Sequence, residues 1–200
     1  MAGRYLENHF TPEVREAQHR YYGRPALLGP QADRDLLTKE EISFIGQRDS
    51  FYMATVTSNG WPYIQHRGGP KGFLKVIEPN ALAFADFRGN RQLLSTGNLA
   101  GNNRVALFLM DYGRRERLKL MGLGQAVDAR EHPELALELV DPGKLATVER
   151  VFRVEVISYD WNCSQYITPR FTEEEIHEAT RPLLERISEL EKKLTDRASE

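Results

Sequence analysis

Ala81–Leu94, ALAFADFRGNRQLL, is the stretch on which the reading of the whole chain turns. Ala81, Ala83, Ala85 and Phe87 alternate with Leu82, Phe84 and Asp86, so both faces of a strand are apolar until the aspartate. Arg88, Gly89, Asn90 and Arg91 follow where a helix would begin, over about Arg91–Leu99. Glycine lets the backbone turn, asparagine can cap, and the free N–H groups of a helix start attract anions. An arginine beside them adds a rigid fork of donors that suits phosphate oxygens. The functional reading is a phosphate seat at the mouth of a β-barrel. The plain reading, a solvated surface turn, stays open on this stretch alone.

The flanks are strands. Phe51–Thr57 is aromatic and β-branched, Ser58-Asn59-Gly60 signals a hairpin, and Trp61–Arg67 returns with Pro62 at the strand start or on an edge. Gly68–Gly72 breaks the ladder, Phe73–Glu78 is a third strand, and Val105–Met110 follows the helix as a fifth. A long, glycine-punctuated strand is expected over Arg117–Ala129, a short helix over Pro133–Val140 and a seventh strand over Phe152–Tyr159. Six or seven antiparallel strands with a helix across one gap make a mainly β chain with peripheral helices, a closed or half-open barrel. Repeated βαβ units are absent, which argues against a doubly wound sheet.

Helices are expected at the ends. Thr11-Pro12-Glu13 opens one that stops at Gly23, and Thr38 with Glu41 forms a capping box for another ending near Arg48. The intervening Arg24–Asp35 reads as an extended arm. Thr172 and Glu175 form a second box, after which Ile176, Thr180, Leu183, Ile187, Leu190 and Leu194 recur at four- and three-residue spacing. Pro182 is expected to kink or restart that helix, with Thr180 as a fresh cap. The seam suits either the body of the chain or another helix. The chain thus divides into an N-terminal helix and arm (1–37), a barrel (38–170) and a C-terminal helix (171–200).

Two hundred residues with 40% apolar and 28% charged content suit a soluble globular protein. A net charge of −2 gives no electrostatic case for nucleic acid as a partner. No stretch has the length or apolarity of a membrane span or a secretory leader, so a cytoplasmic setting is the expectation. The single cysteine, Cys163, offers neither an internal disulfide nor a thiolate cluster and has no evident activating partner. The histidines His9, His19, His66, His132 and His177 are scattered, and only His66 falls in the barrel. No nucleophile elbow, P-loop or zinc-protease helix is present, so proton-transfer chemistry by side chains is weakly supported. A pocket without a reactive set points to a bound cofactor as the chemist. Arg67, Lys71, Lys75, Arg91, Lys119 and Arg170 sit at strand ends and turns where they could gather at one end of the barrel. Each taken singly also reads as surface charge.

The segment from Gln65 to Tyr112, QHRGGPKGFLKVIEPNALAFADFRGNRQLLSTGNLAGNNRVALFLMDY, resembles the pyridoxamine 5′-phosphate oxidase-like flavoproteins of the FMN-binding split-barrel superfamily. The likeness runs from about Thr38 to Arg170. It is nearest the bacterial branch carrying HRGGP, FRGNRQ and a late WNC…ITPRF. The resemblance implies a split barrel, bound FMN, an oxidoreductase activity with electron transfer by the flavin, and a homodimer with two FMN sites across the subunit interface. It places the basic strand on Arg67, Gly68, Lys71 and Lys75, and the pair along the flavin on Ala85 and Asp86. The phosphate-binding S-R-K turn falls on Asn90, Arg91 and Gln92, with Gln92 replacing a lysine. The family's glutamine falls on Lys119, and its late tryptophan and arginine on Trp161 and, one residue out of spacing, Arg170. The substrate-gripping Arg-x-His pair has no counterpart, because the matching region reads Tyr166-Ile167-Thr168. Flavin binding therefore carries over further than vitamin B6 oxidation. The rival expectation is a binding or sensing module that holds flavin or a tetrapyrrole on the same barrel, with His66 as a haem ligand.

Overall fold

In the computed structural model, which describes residues 3–28, 35–161 and 165–198, the decisive stretch forms a strand with the expected bounds. It is the fourth of seven among these residues: β1 (Ser50–Val56), β2 (Pro62–Gly68), β3 (Lys75–Glu78), β4 (Ala81–Phe87), β5 (Arg104–Asp111), β6 (Glu116–Asp128) and β7 (Val148–Trp161). Every pairing is antiparallel, in the order β2-β1-β5-β6-β7-β4-β3. β2 and β3 are left as unpaired edges, so the barrel is split, and the expected mainly β class with peripheral helices holds.

Both faces of β4 are covered, as its unbroken apolar pattern requires. One face joins the barrel interior, where Phe84 lies opposite Phe152 on β7 and the two rings stack at 5.0 Å and 4°. Phe51, Met53, Leu107, Leu109, Leu118 and Leu120 fill the same core. On the other face Ala83 and Val151 pack against Ala136 and Leu139. Those come from helix α5 (Pro133–Leu139), the fifth in the chain order α1 (Gly3–His9), α2 (Pro12–Tyr22), α3 (Lys39–Gly46), α4 (Leu94–Gly101), α5 and α6 (Glu173–Ala198). A 3₁₀ turn over Pro142–Thr147 leads into β7.

Local capping chemistry sets most helix ends. Thr11 accepts from the Val14 N–H at the start of α2, and Gly23 closes that helix at φ 74°. Glu41 accepts from the Thr38 N–H at 2.8 Å and its hydroxyl at 2.6 Å, completing the box on α3. The same carboxylate takes the Trp161 indole N–H at 2.6 Å, tying α3 to the end of β7. Burial acts to raise the Glu41 carboxyl, but the hydrogen bonds from Thr38 and Trp161 outweigh it and hold it below its ordinary 4.5. A carboxyl lowered in the folded state lends stability above its unfolded value and withdraws it as the pH falls. Glu41→Gln is therefore expected to cost about 1–3 kcal/mol at neutral pH, the worth of charge-assisted bonds in a buried site. The gap from the wild type should narrow as the pH falls below 4.5 and through the lowered folded-state value, read by urea unfolding across the acid range. A gap independent of pH would rule this linkage out.

Four expectations need correction. α1 arises where no element was expected, with Lys119 Nζ 4.7 Å from the centre of the Tyr5 ring. α4 starts at Leu94 rather than Arg91, because Arg91 and Leu93 adopt left-handed backbone angles of 61° and 53° that no helix admits. Asn90 therefore does not cap it. α6 runs unbroken through Pro182, and the Thr180 hydroxyl donates to the Ile176 carbonyl instead of opening a new helix. Cys163 and part of the Arg24–Asp35 arm lie outside the described residues. Among those described, no helix is long and apolar enough to cross a membrane.

Candidate functional site

The site begins with a side chain that bridges the split. Four strands lie between β2 and β4 along the ladder, yet Arg67 Nη1 on β2 reaches Asp86 Oδ1 on β4 at 2.7 Å. The sheet has curled until its two ends face each other, and this ion pair spans the gap. Arg150, opposite Asp86 in the β4–β7 register, donates from Nε to Asp86 Oδ2 at 2.9 Å. One carboxylate thus holds two guanidinium groups. The Arg67 guanidinium also lies 4.8 Å from the Phe152 ring centre and 5.5 Å from that of Phe84. Its side chain is only 14% exposed, and its Nε is buried with no hydrogen-bond partner. An always-charged group in that setting is held by attraction to the carboxylate and to the two ring faces.

Around this clamp lies a cavity of about 190 Å³. Gln65 and Tyr63 line it from the same face of β2 as Arg67, which follows from the two-residue period of a strand. The Ser95 hydroxyl donates to Gln65 Oε1 at 3.0 Å, and Asn98 Nδ2 donates to Thr55 Oγ1 at 2.9 Å. These two bonds pin α4 against β1 and β2. Asn90, Arg91 and Gln92 form the opposite wall, with Asn90 Oδ1 accepting the Gln92 N–H at 3.1 Å. No side chain caps α4, which leaves the amide donors of its first turn without a side-chain acceptor, and Ser95 and Thr96 of that turn line the arginine-rich cavity.

A second cavity of about 350 Å³ adjoins the first, and Phe87 lines both. Gly68, Lys71, Lys75 and Ala85 lie here rather than at the clamp, together with Lys144. The remaining candidates are elsewhere in the single chain. Lys119 pairs with Asp160 at 2.7 Å. Trp161 packs edge-on to Phe44 at 4.8 Å, and Arg170 lies 5.1 Å from the centre of the Tyr112 ring. His66 is exposed on the opposite face of β2 and packs against Tyr52. Asp86, expected to lie along the flavin, here holds Arg67 and Arg150 through its carboxylate. Arg150, Gln65 and Ser95 were missed, and only strand register and tertiary contact reveal them. Among the described residues no cluster of His, Cys, Asp or Glu fits a metal ion.

The first cavity suits an anion. Arg67, Arg91 and Arg150 line it against one lining carboxylate, Asp86, with Glu149 behind Arg150 at 3.0 Å, and an uncapped helix start lies beside them, so the cavity is cationic on balance. Residues 37–155 match the family model described as pyridoxamine 5′-phosphate oxidase. The chain belongs to that family. Among solved structures, HupZ of Group A Streptococcus is similar with a TM-score of 0.50 and 14% identity, over 68% of this chain and 100% of that one. General Stress Protein 26 of Bacillus anthracis gives 0.47 and 16%, over 67% and 96%. A pyridoxamine 5′-phosphate oxidase-related, FMN binding protein of Nostoc punctiforme gives 0.42 and 14%, over 56% and 73%. At 14% identity the likeness to HupZ is one of fold alone. No curated protein matches the chain. The split sheet with the clamp across its opening is thus a pyridoxamine 5′-phosphate oxidase-family barrel.

Proposed function

We propose that this protein is an FMN-dependent oxidoreductase whose phosphate seat is the Arg67–Asp86–Arg150 clamp. The observation that carries the reading is that clamp, already formed across the split beside an uncapped helix start. Arg67, Arg150 and Arg91 would hold the phosphate with Asn90, Gln92 and the first amides of α4. Asp86 fixes two of those guanidinium groups in place before any ligand arrives, so less side-chain freedom is lost on binding. Gly68, Lys71, Lys75 and Ala85, across Phe87, would wall the flavin ring and whatever reacts with it. Bound FMN would supply two-electron transfer between small-molecule partners.

The reading includes a homodimer. The register sets Tyr52 and Ala54 of β1 beside His66 and Ile64 of β2 and beside Phe108 and Ala106 of β5, all on the face away from the core. Tyr52 is 37% and Ile64 65% exposed, so this sheet face is apolar and uncovered in one chain. Lys119 lies opposite Phe108 and shares it. Sedimentation as a monomer at micromolar concentration would remove the pairing. His66, the expected haem ligand, lines neither cavity, which favours the flavin reading over one in which that histidine holds a haem.

The absorbance spectrum of the purified protein tests the cofactor. Flavin bands, with FMN released on denaturation, are expected, and a chain that takes up no FMN on titration overturns the proposal. Consumption of NADH or NADPH, or reduction of the flavin by a candidate substrate, tests for turnover. Arg91→Ala should weaken FMN binding by about 1.5–3 kcal/mol, the loss of one charge-assisted contact. Unchanged affinity would take Arg91 out of the site.

A further inference from the structure

Helix α6 carries an apolar face that its own chain leaves bare. Leu183, Leu184, Ile187, Leu190 and Leu194 are 65, 55, 51, 43 and 66% exposed, although the helix runs unbroken for 26 residues. A helix of this length gains little from propensity alone and depends on burying such a face. Its ties to the body lie at its first turns, where Lys71 approaches Glu174 at 3.9 Å.

We propose that α6 is a dimerisation element, pairing in parallel and in register with α6 of a second copy of this chain. Three features select that occupant. First, Ile176, Leu183 and Leu190 fall at heptad d positions and Thr180, Ile187 and Leu194 at a positions. A β-branched residue at a with leucine at d favours two parallel strands, and Ile187 sits between Leu183 and Leu190 in that arrangement. Second, the flanking positions match across a parallel seam. There each g residue meets the e residue five further on in the other helix, which joins Ala179 to Leu184 and Arg186 to Glu191. An antiparallel pair sets g beside g and turns Arg186 and Lys193 towards like charges. Third, Pro182 falls at position c, on the outside, where its missing N–H and its ring disturb no seam contact. A membrane surface is the poorer occupant, because the polar face carries more Asp and Glu than Lys and Arg. The paired seam from Ile176 to Leu194 is about 28 Å long at the rise of an α-helix.

The inference does not rest on the flavin reading. The test uses the full chain with Cys163→Ser, into which Ile187→Cys is introduced at a, or Lys192→Cys at the outward f position. Mild oxidation of the first is expected to give a covalent dimer in most of the protein, while the second remains largely monomeric on denaturing gels. Failure of Ile187→Cys to cross-link overturns the proposal, as does equal cross-linking of both variants. Circular dichroism of the same samples shows whether each variant folds, and Leu190→Cys at d repeats the seam test where Ile187→Cys does not. Binding of the uncross-linked chain to vesicles of phosphatidylserine and phosphatidylcholine would also overturn it. FMN absorbance, read on the same samples, reports separately on the cofactor.

Discussion

Arg67→Ala is expected to lower the unfolding free energy by about 2–3 kcal/mol and to abolish tight FMN retention. Breaking a buried ion pair from one side costs about 3–5 kcal/mol when it strands a charge. Here Asp86 keeps Arg150, which brings the figure down. Loss of the cation from the faces of Phe84 and Phe152 adds about 1 kcal/mol. The more telling loss is geometric, since the Arg67–Asp86 contact joins strands that share no ladder. Arg67→Lys separates the two effects. It keeps the charge but cannot engage a carboxylate and a phosphate together with a planar fork, so it should retain more stability than FMN affinity. Urea unfolding and FMN titration of both variants read the outcome. An alanine variant as stable as the wild type would show that the split is closed by something other than this pair.

Gly122→Ala should be more damaging, by about 3 kcal/mol or more, with most of the protein lost to the insoluble fraction. Gly122 sits on β6 at a register shift against β7, where a methyl group would be driven into the carbonyl oxygen of Glu155. The obstacle is backbone in a paired strand, so it cannot swing aside as a side-chain tip would. Gly97→Ala in α4 is the matched control. Nothing lies within 4 Å of the added methyl there, and alanine is the better helix former by about 1 kcal/mol. Thermal melts of the two variants should move in opposite directions, and a Gly122→Ala protein melting with the wild type would overturn the argument.

The parts of the fold legible in the sequence were those written in local chemistry. Ala81–Phe87 announced a doubly covered strand because both of its alternating sets were apolar, and the boxes Thr38–Glu41 and Thr172–Glu175 announced the helix starts at Lys39 and Glu173. The family resemblance brought Arg67, Asp86, Asn90, Arg91 and Gln92 into one list, and these five line one cavity. The misses are non-local. Arg150 enters the site only because β7 pairs with β4 in a register that sets it against Asp86, 64 residues away. The start of α4 slipped because nothing in the letters RGNRQL gives an arginine and a leucine left-handed angles. Backbone held so at two non-glycine positions costs energy that surrounding contacts must repay, a pattern that clusters at ligand sites.

β7 is the last of the seven described strands to leave the ribosome, and it is the one that both halves of the sheet require. β4 with β3 on one side, and β6 with β5, β1 and β2 on the other, meet only through it. Until residue 161 has emerged, the nascent chain holds two sheet fragments with raw edges and no means of curling towards each other. Closure is therefore a late event joining remote segments, which makes folding slow and leaves the unfinished chain prone to strand-edge aggregation. Shortening the gene from its 3′ end should then give a sharp threshold, with chains ending before β7 insoluble and chains ending just beyond it able to fold.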